Sequence, residues 1–243
     1  MARGSPDYNL PDYSFFAVET PISDIVAERQ GFSRLDNRGR VLWFEDWRNG
    51  LARMTADYDS ASTQVKHLYR NGYGVGFHGT VRLDPLANNG FASVANGLVL
   101  PVSKRLGIEF SFFVTGQSGK IVCGLEHNFD GTQRKAGGLV IQANTTSIAI
   151  QTPSSEQTMV TPSNSQYFQE RFISVKFVVD VELGRYVRAM LGNTQYDLSA
   201  YSLSTGTGGP SGDTYFTIGI EGTSATNKNP VDIGYIIISG DEP

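Results

Sequence analysis

The densest cluster of side chains able to do chemistry is Glu126-His127-Asn128-Phe129-Asp130, two carboxylates around an imidazole and an amide. Paired carboxylates serve glycan hydrolysis, one as acid and the other as nucleophile or base, with the pair of a retaining enzyme about 5 to 5.5 Å apart. The spacing here is wrong for such a pair, and Gly131 places Asp130 in a turn, so the run reads as a solvated hairpin loop. Nucleophilic hydrolysis has less support still. There is no G-x-S-x-G elbow, no motif around His67, His78 or His127 names a serine or cysteine partner, and their separations exclude the i, i+4 metal pair of a helical zinc site. Gly72-Tyr73-Gly74-Val75-Gly76 lacks the Gly-Lys-Ser or Gly-Lys-Thr of a phosphate loop and reads as strand glycines. The single cysteine, Cys123, alternates with Ile121 and Leu125, which marks a small buried hydrophobe. No catalytic residue, cofactor or resident metal follows from these patterns.

Binding chemistry has more material. Sugar recognition uses aromatic platforms beside Asp, Asn and backbone donors. The loops offer Asn88-Asn89, then Asn128 with Asp130, and Tyr201; of these Asn128, Asp130 and Tyr201 are the candidate glycan-binding residues. Calcium needs roughly six to eight oxygens, and Asp130 and Asp213 stand in no dense acidic run that would supply them.

The elements that must carry these residues are strands. With 27 Gly, 14 Phe and 11 Tyr, the composition suits short strands and tight turns. Residues 172–203 carry the clearest pattern. Ile173, Val175, Phe177 and Val179 alternate with Ser174, Lys176 and Asp180, the period of a strand with one buried face and one polar outward face. Val178 breaks the pattern. A second strand begins at Arg185, and Gly192-Asn193 suits a two-residue type II′ hairpin leading to a third from Thr194. The outward residues, Ser174, Lys176, Asp180 and Arg188, are expected to face solvent and to form scaffold. Further strands are expected at residues 41–47, 74–78, 97–101, 107–115, 120–126, 138–143, 147–152, 215–221 and 231–239. About a dozen strands with hardly any helical periodicity between them predict two packed antiparallel sheets. Trp43 and Trp47 lie in the most apolar strand and are expected to anchor the core. Residues 51–69 have mixed polarity, and residues 205–213 read as a flexible loop.

The chain divides into an N-terminal arm, residues 1–40, and a β-sandwich, residues 41–243. Pro6 and Pro11 keep the arm extended. Thr20 as cap, Pro21 at the first position and Gly31 beyond the end predict one short helix, with Ile22, Ile25 and Val26 on one face. Those three residues, with Tyr8 and Tyr13, are the candidates for docking on another protein subunit. A net charge of −4, from 24 acidic and 20 basic residues, argues against nucleic acid as a ligand. No apolar run reaches the roughly 18 residues of a membrane span, and residues 1–10 lack the features of a secretory leader.

The order of elements resembles the concanavalin A-like, laminin-G-like jelly roll. The run from Leu42 to Leu51, with Phe44, Asp46, Trp47 and Gly50, looks like the opening F-x-D-F-x-x-G strand of such domains. Asn96 to Pro101 followed by Leu106 to Phe113 looks like a paired inner strand. Phe177-Val178-Val179-Asp180 with Tyr186-Val187-Arg188 resembles the family's late hairpin, and Ile233 to Ile238 the closing strand. The resemblance implies an all-β antiparallel sandwich. That fold hosts lectins, glycan hydrolases, receptor modules and viral structural proteins. Jelly-roll hydrolases carry E-x-D-x-x-E or E-x-D-x-E on one strand, and this sequence has neither.

The expectation is therefore a non-enzymatic attachment protein that docks through its arm in a larger, homo-oligomeric assembly. Leaderless, Gly/Ser/Thr-rich sandwiches with arms resemble, in style, capsid decoration or tail-associated proteins of bacteriophage virions; a cellular counterpart would be cytoplasmic. A lectin-like carbohydrate-binding module and a divergent glycan hydrolase are the alternatives. Deleting residues 1–30 is expected to leave a folded domain that no longer joins its assembly. Normal assembly of the truncated protein, followed by sedimentation, would refute the docking role.

Overall fold

The computed structural model describes residues 39–47, 49–58, 64–69, 79–85, 90–100, 103–114, 119–142, 147–160, 172–191, 194–222 and 230–243. The candidate docking residues Tyr8, Tyr13, Ile22, Ile25 and Val26 lie outside them, as do residues 74–78, His78, Asn88 and Asn89. The described residues form sixteen strands and no helix, which corrects the expected fold class. The short helix rested on capping signals in residues 20–31, which are also outside the described part, and a helix of that length has little stability without a packing surface. What stands is an all-β, antiparallel jelly-roll sandwich.

The front sheet runs β13 (Thr194–Asp197), β12 (Arg185–Leu191), β11 (Ile173–Asp180), β6 (Arg105–Val114), β16 (Val231–Gly240), β4 (Gly79–Asp84) and β3 (Gln64–Tyr69), with β1 (Arg40–Glu45) also paired to β16. The back sheet runs β10 (Glu156–Val160), β9 (Ser147–Gln151), β8 (Gln133–Gln142), β7 (Lys120–Asn128), β15 (Asp213–Glu221), β5 (Phe91–Val99) and β2 (Thr55–Tyr58), with β14 (Ser204–Thr207) also paired to β8. Residues 51–69 thus hold a turn and two strands. Part of the expected flexible loop at 205–213 is β14, tied to residues 133–136.

Alternation decides which side chains meet. Ile173, Val175, Phe177 and Val179 lie opposite Phe112, Phe110, Ile108 and Leu106, all of them buried between the sheets. Facing them, β15 sends in Phe216, Ile218 and Ile220 beside Leu125, Cys123 and Ile121 of β7. Trp43 packs on Phe216 with ring centroids 5.0 Å apart, so β1 is joined to the back sheet, and Trp47 is wholly buried. Each large aromatic so buried contributes a few kcal/mol. One polar tie crosses the core. The Tyr186 hydroxyl accepts from Gly138 N–H at 2.7 Å and donates to the Gln151 carbonyl, linking β12 to β8 and β9; burial pushes its pKa up to about 12.

The polar face of β11 is not solvated as its sequence suggests. Lys176 is wholly buried, as is Glu109 opposite it on β6, and Asp180 and Arg188 are nearly so. The Glu242 carboxylate reaches Lys176 Nζ at 2.7 Å and Arg188 Nη2 at 2.8 Å, and also accepts from Ser239 Oγ. Gly107 makes room for it, since a Cβ there would lie 2.7 Å from Ser239 Oγ and 3.0 Å from Glu242 Oε1. Nearby, Tyr235 OH donates to Glu109 at 2.8 Å, and Arg105 holds Asp180 at 3.1 Å. A strand's period reports which side chains share a face, not whether the chain later covers that face.

Removing one member of a buried ion pair costs about 3–5 kcal/mol, because the remaining charge has lost a compensating partner away from water. Exposed pairs such as Lys104–Glu182, 2.9 Å apart, are worth less than about 1 kcal/mol. Urea denaturation of Glu242→Ala should therefore show a loss in the larger range and Lys104→Ala a loss in the smaller one. Equal small losses would mean that the buried cluster is not stabilised by that carboxylate.

Candidate functional site

The outer face of the back sheet is built differently from that of the front. On adjacent strands β5, β15, β7 and β8 the register sets Gly97 opposite Tyr215, Tyr215 opposite Glu126, and Glu126 opposite Ala136. One rung further along the same face, Val99 meets Asp213, and Asn128 meets Arg134. Between them lies a groove of about 670 Å³ whose lining includes Gly97, Val99, Glu126, Asn128, Arg134, Asp213 and Tyr215. Tyr215 is 46% exposed and Val99 80% exposed, unusual for large apolar side chains in this molecule. Gly97 gives the ring its open side, because a Cβ added there would meet nothing within 4 Å.

Polar groups line the groove. Arg134 Nη1 holds Glu126 Oε2 at 2.9 Å. At one end the turn through residues 208–212 folds back on β7: Gly212 N–H donates to the Asn128 carbonyl at 2.8 Å, and Ser211 Oγ donates to the Phe129 carbonyl at 2.8 Å. Gly212 takes a φ of 88°, a left-handed conformation suited to glycine. A Cβ on Gly209 would lie 3.2 Å from Asn128 Nδ2 and 3.7 Å from Asp213 Oδ2, so this amide and this carboxylate converge beneath the turn. Asn128 is 7% exposed, and its Oδ1 has no hydrogen-bond partner.

On the core side of the same rung, His127 Nδ1 lies 2.7 Å from Thr214 Oγ1, which donates to the Gly212 carbonyl at 3.2 Å. Burial lowers the His127 pKa from 6.5 to about 4 against the opposing pull of Asp213, so the ring is neutral and braces the groove from behind.

Of the candidate glycan residues, Asn128 lines the groove. Asp130 sits in the exposed turn after β7, where its Oδ1 accepts from Thr132 N–H at 2.8 Å, Thr132 Oγ1 at 2.7 Å and Gln133 N–H at 3.3 Å, contacts that hold its pKa below the usual carboxylate value. Tyr201 is half-buried against the core, and its carbonyl accepts from Tyr186 N–H at 3.0 Å. Glu126 and Asp130 are thus separated, one paired in the groove and the other capping a turn. Cys123 is buried, and its thiol pKa is raised well above the ordinary value. Among the described residues no group of three His, Cys, Asp or Glu comes together to hold a metal ion. Gly97, Arg134 and Tyr215 are groove residues that sequence reading passes over; the available signal was the outward set Asp213, Tyr215 and Thr217, which alternates with the inward Phe216 and Ile218.

No protein-family model matches this chain, and no curated protein matches it in sequence. Solved structures match it in fold. A sialidase shares 10% identity over 84% of this chain with a TM-score of 0.53, and this chain spans only 19% of that one. A Bacillus subtilis protein of unknown function with a galectin-like fold gives 8% identity, 84% and 97% coverage and a TM-score of 0.51. The CBM2 module of the Lactobacillus casei BL23 phage J-1 evolved Dit gives 10%, 83% and 95%, and 0.50. These matches show the fold alone, an all-β antiparallel jelly-roll sandwich.

The buried histidine yields a pH dependence. Between pH 4 and 6.5 the unfolded chain binds a proton at His127 that the folded chain does not, so stability rises with pH across this window and is lost as pH falls through it. The loss at pH 4 should reach at most about 3 kcal/mol. His127→Gln should flatten that part of the stability profile measured by denaturant titration at each pH; an unchanged profile would mean that His127 is not its source.

Proposed function

We propose that the chain is a non-catalytic carbohydrate-binding module whose ligand lies along the groove over β5, β15, β7 and β8. One observation carries this reading: an exposed Tyr215 ring stands beside the side-chain-free floor at Gly97, with the polar atoms of Asn128, Asp213, Glu126 and Arg134 around it. A sugar ring has one face rich in C–H and an edge of hydroxyls. The first packs on an aromatic plane and the second needs convergent polar partners, which is the composition of this groove. Carboxylates alone do not make it an enzyme site. Glu126 is engaged by Arg134, and Asp213 comes from a neighbouring strand with its carboxylate turned toward Asn128.

The larger setting is a second element of the proposal. Attachment to a virion through the N-terminal arm, as a capsid decoration or tail-associated component alongside other subunits, is supported by the arm's apolar residues and by the existence of a phage-borne module of the same fold. In that setting the groove would serve adhesion to a glycan surface.

The test is to fill the groove without disturbing the sheet. Gly97→Trp adds bulk where a Cβ meets no atom, and Tyr215→Ala removes the platform. On a glycan array followed by calorimetry, each variant should weaken binding about tenfold or more, the equivalent of ~1.4 kcal/mol, with circular dichroism and Tm unchanged. Absence of binding to any glycan, or binding that both variants leave intact, would overturn the assignment.

A further inference from the structure

The front sheet is buried on both of its faces, and packing against the back sheet accounts for only one of them. Val231, Ile233, Ile236 and Ile238 of β16 join the core between the sheets, whereas Tyr235 and Ile237, with Val41 and Phe44 of β1, form a separate apolar cluster on the outer face. Tyr235 is 5% exposed and Ile237 2%. Beside them on β6, Ser111 lies opposite Tyr235, Glu109 opposite Ile237 and Phe113 opposite Asp232, all of them buried. The back sheet supplies the comparison: Tyr215, also outward on an interior strand, is 46% exposed. An uncovered outer face leaves such a ring open to solvent, so Tyr235 and Ile237 lie under further chain. All sixteen described strands belong to the two sheets, so no strand among them supplies that cover. Glu242 and Pro243 meet the face at Lys176 and Arg188, and Phe172 meets it at Phe113 with ring centroids 5.6 Å apart. Glu109, Phe113, Lys176, Asp232 and Tyr235 each have a further polar or ring partner besides these.

We propose that residues 1–38 of the same chain supply the cover, laid over the outer face of the front sheet at Val41, Phe44, Tyr235 and Ile237. The chain enters the sheet at this face. Arg40 pairs with Gly240, and Gly39 is packed so closely on the outer-face carboxylate of Glu242 that a Cβ would lie 2.5 Å from its Oε1. The residues before Gly39 therefore start beside the cluster. Length selects the same segment, because the longest internal stretch outside the described residues, 161–171, is much shorter and is tied at both ends to strands. Tyr8, Tyr13, Ile22, Ile25 and Val26 give the arm apolar surface to match, and packing it on the cluster takes both out of water. Attachment of the arm to other subunits then competes with the front sheet for the same apolar residues. The glycan groove lies on the opposite sheet and is independent of this cover.

The experiment follows the reaction of a thiol reagent with Ile237→Cys in the full-length chain. That thiol should react about tenfold or more slowly than in a full-length chain that also carries Ile22→Asp, Ile25→Asp and Val26→Asp, whose charges resist burial. Cys123, buried between the sheets, must stay unreactive in both, which shows that neither has unfolded. Equal rates at position 237 with Cys123 unreactive would overturn the proposal. A rate that falls as protein concentration rises would assign the cover to a second copy and overturn it as well. If the triply substituted chain unfolds, chymotrypsin digestion of the unaltered chain decides. Cleavage after Tyr8 and Tyr13 should be about tenfold or more slower than in a free peptide of residues 1–30, and equal rates would count as refutation. Neither refutation touches the glycan reading, which the array measurement tests separately.

Discussion

Register is the constraint on which this structure depends. In β6, β11 and β16 each inward residue faces an inward residue of its neighbour, as in Phe177 opposite Ile108 and Ile108 opposite Ile238. A slip of one residue would turn Lys176 and Glu109 into the space between the sheets and lift Phe177 and Ile108 out of it. The apolar inward set makes that alternative far worse than the native pairing. The same rule operates in the back sheet, where β15 sends Phe216 and Ile218 inward and so must present Tyr215 and Thr217 outward. The groove is a consequence of how the core is packed.

The two outer faces show what a sandwich can do with the residues its core does not use. On the front sheet they are buried and paired: Glu242 between Lys176 and Arg188, Tyr235 on Glu109, Asp232 on Arg82 with two contacts of 2.7 and 2.9 Å. Such pairs add little net stability over apolar replacements, but a misplaced partner leaves a buried charge and is costly. On the back sheet Gly97 carries no side chain and the face stays open around Tyr215. One face is thus committed to holding the fold in one arrangement, and the other is available to a ligand.

Much of the fold was legible in the sequence. The alternation from Ile173 to Val179, the apolar run around Trp43 and the run from Val231 to Ile238 identify strands and their inward residues, because period two is a local property of an extended chain. The strand at Ser204–Thr207 was not legible, since Ser, Thr and Gly in a row look like a loop until β8 offers them an edge to pair with. Lys176 was read as solvated for a related reason: its burial depends on Glu242, far away in the chain. Of the groove, Asn128 was singled out as a glycan residue, and Glu126 and Asp213 were weighed only as carboxylates for hydrolysis and for calcium. Gly97, Tyr215 and Arg134 carry no local motif.

The sequence by itself therefore determined an all-β sandwich, the inward side chains of most strands and the inert burial of Cys123. Only the tertiary structure decided that β15 lies between β5 and β7, and this adjacency places Tyr215 beside both Gly97 and Glu126. It also decided that Glu242 closes over Lys176. The physical reason is that a strand's faces follow from neighbours in sequence, whereas a site on a sheet is made across strands, by pairings between segments that are distant in the chain.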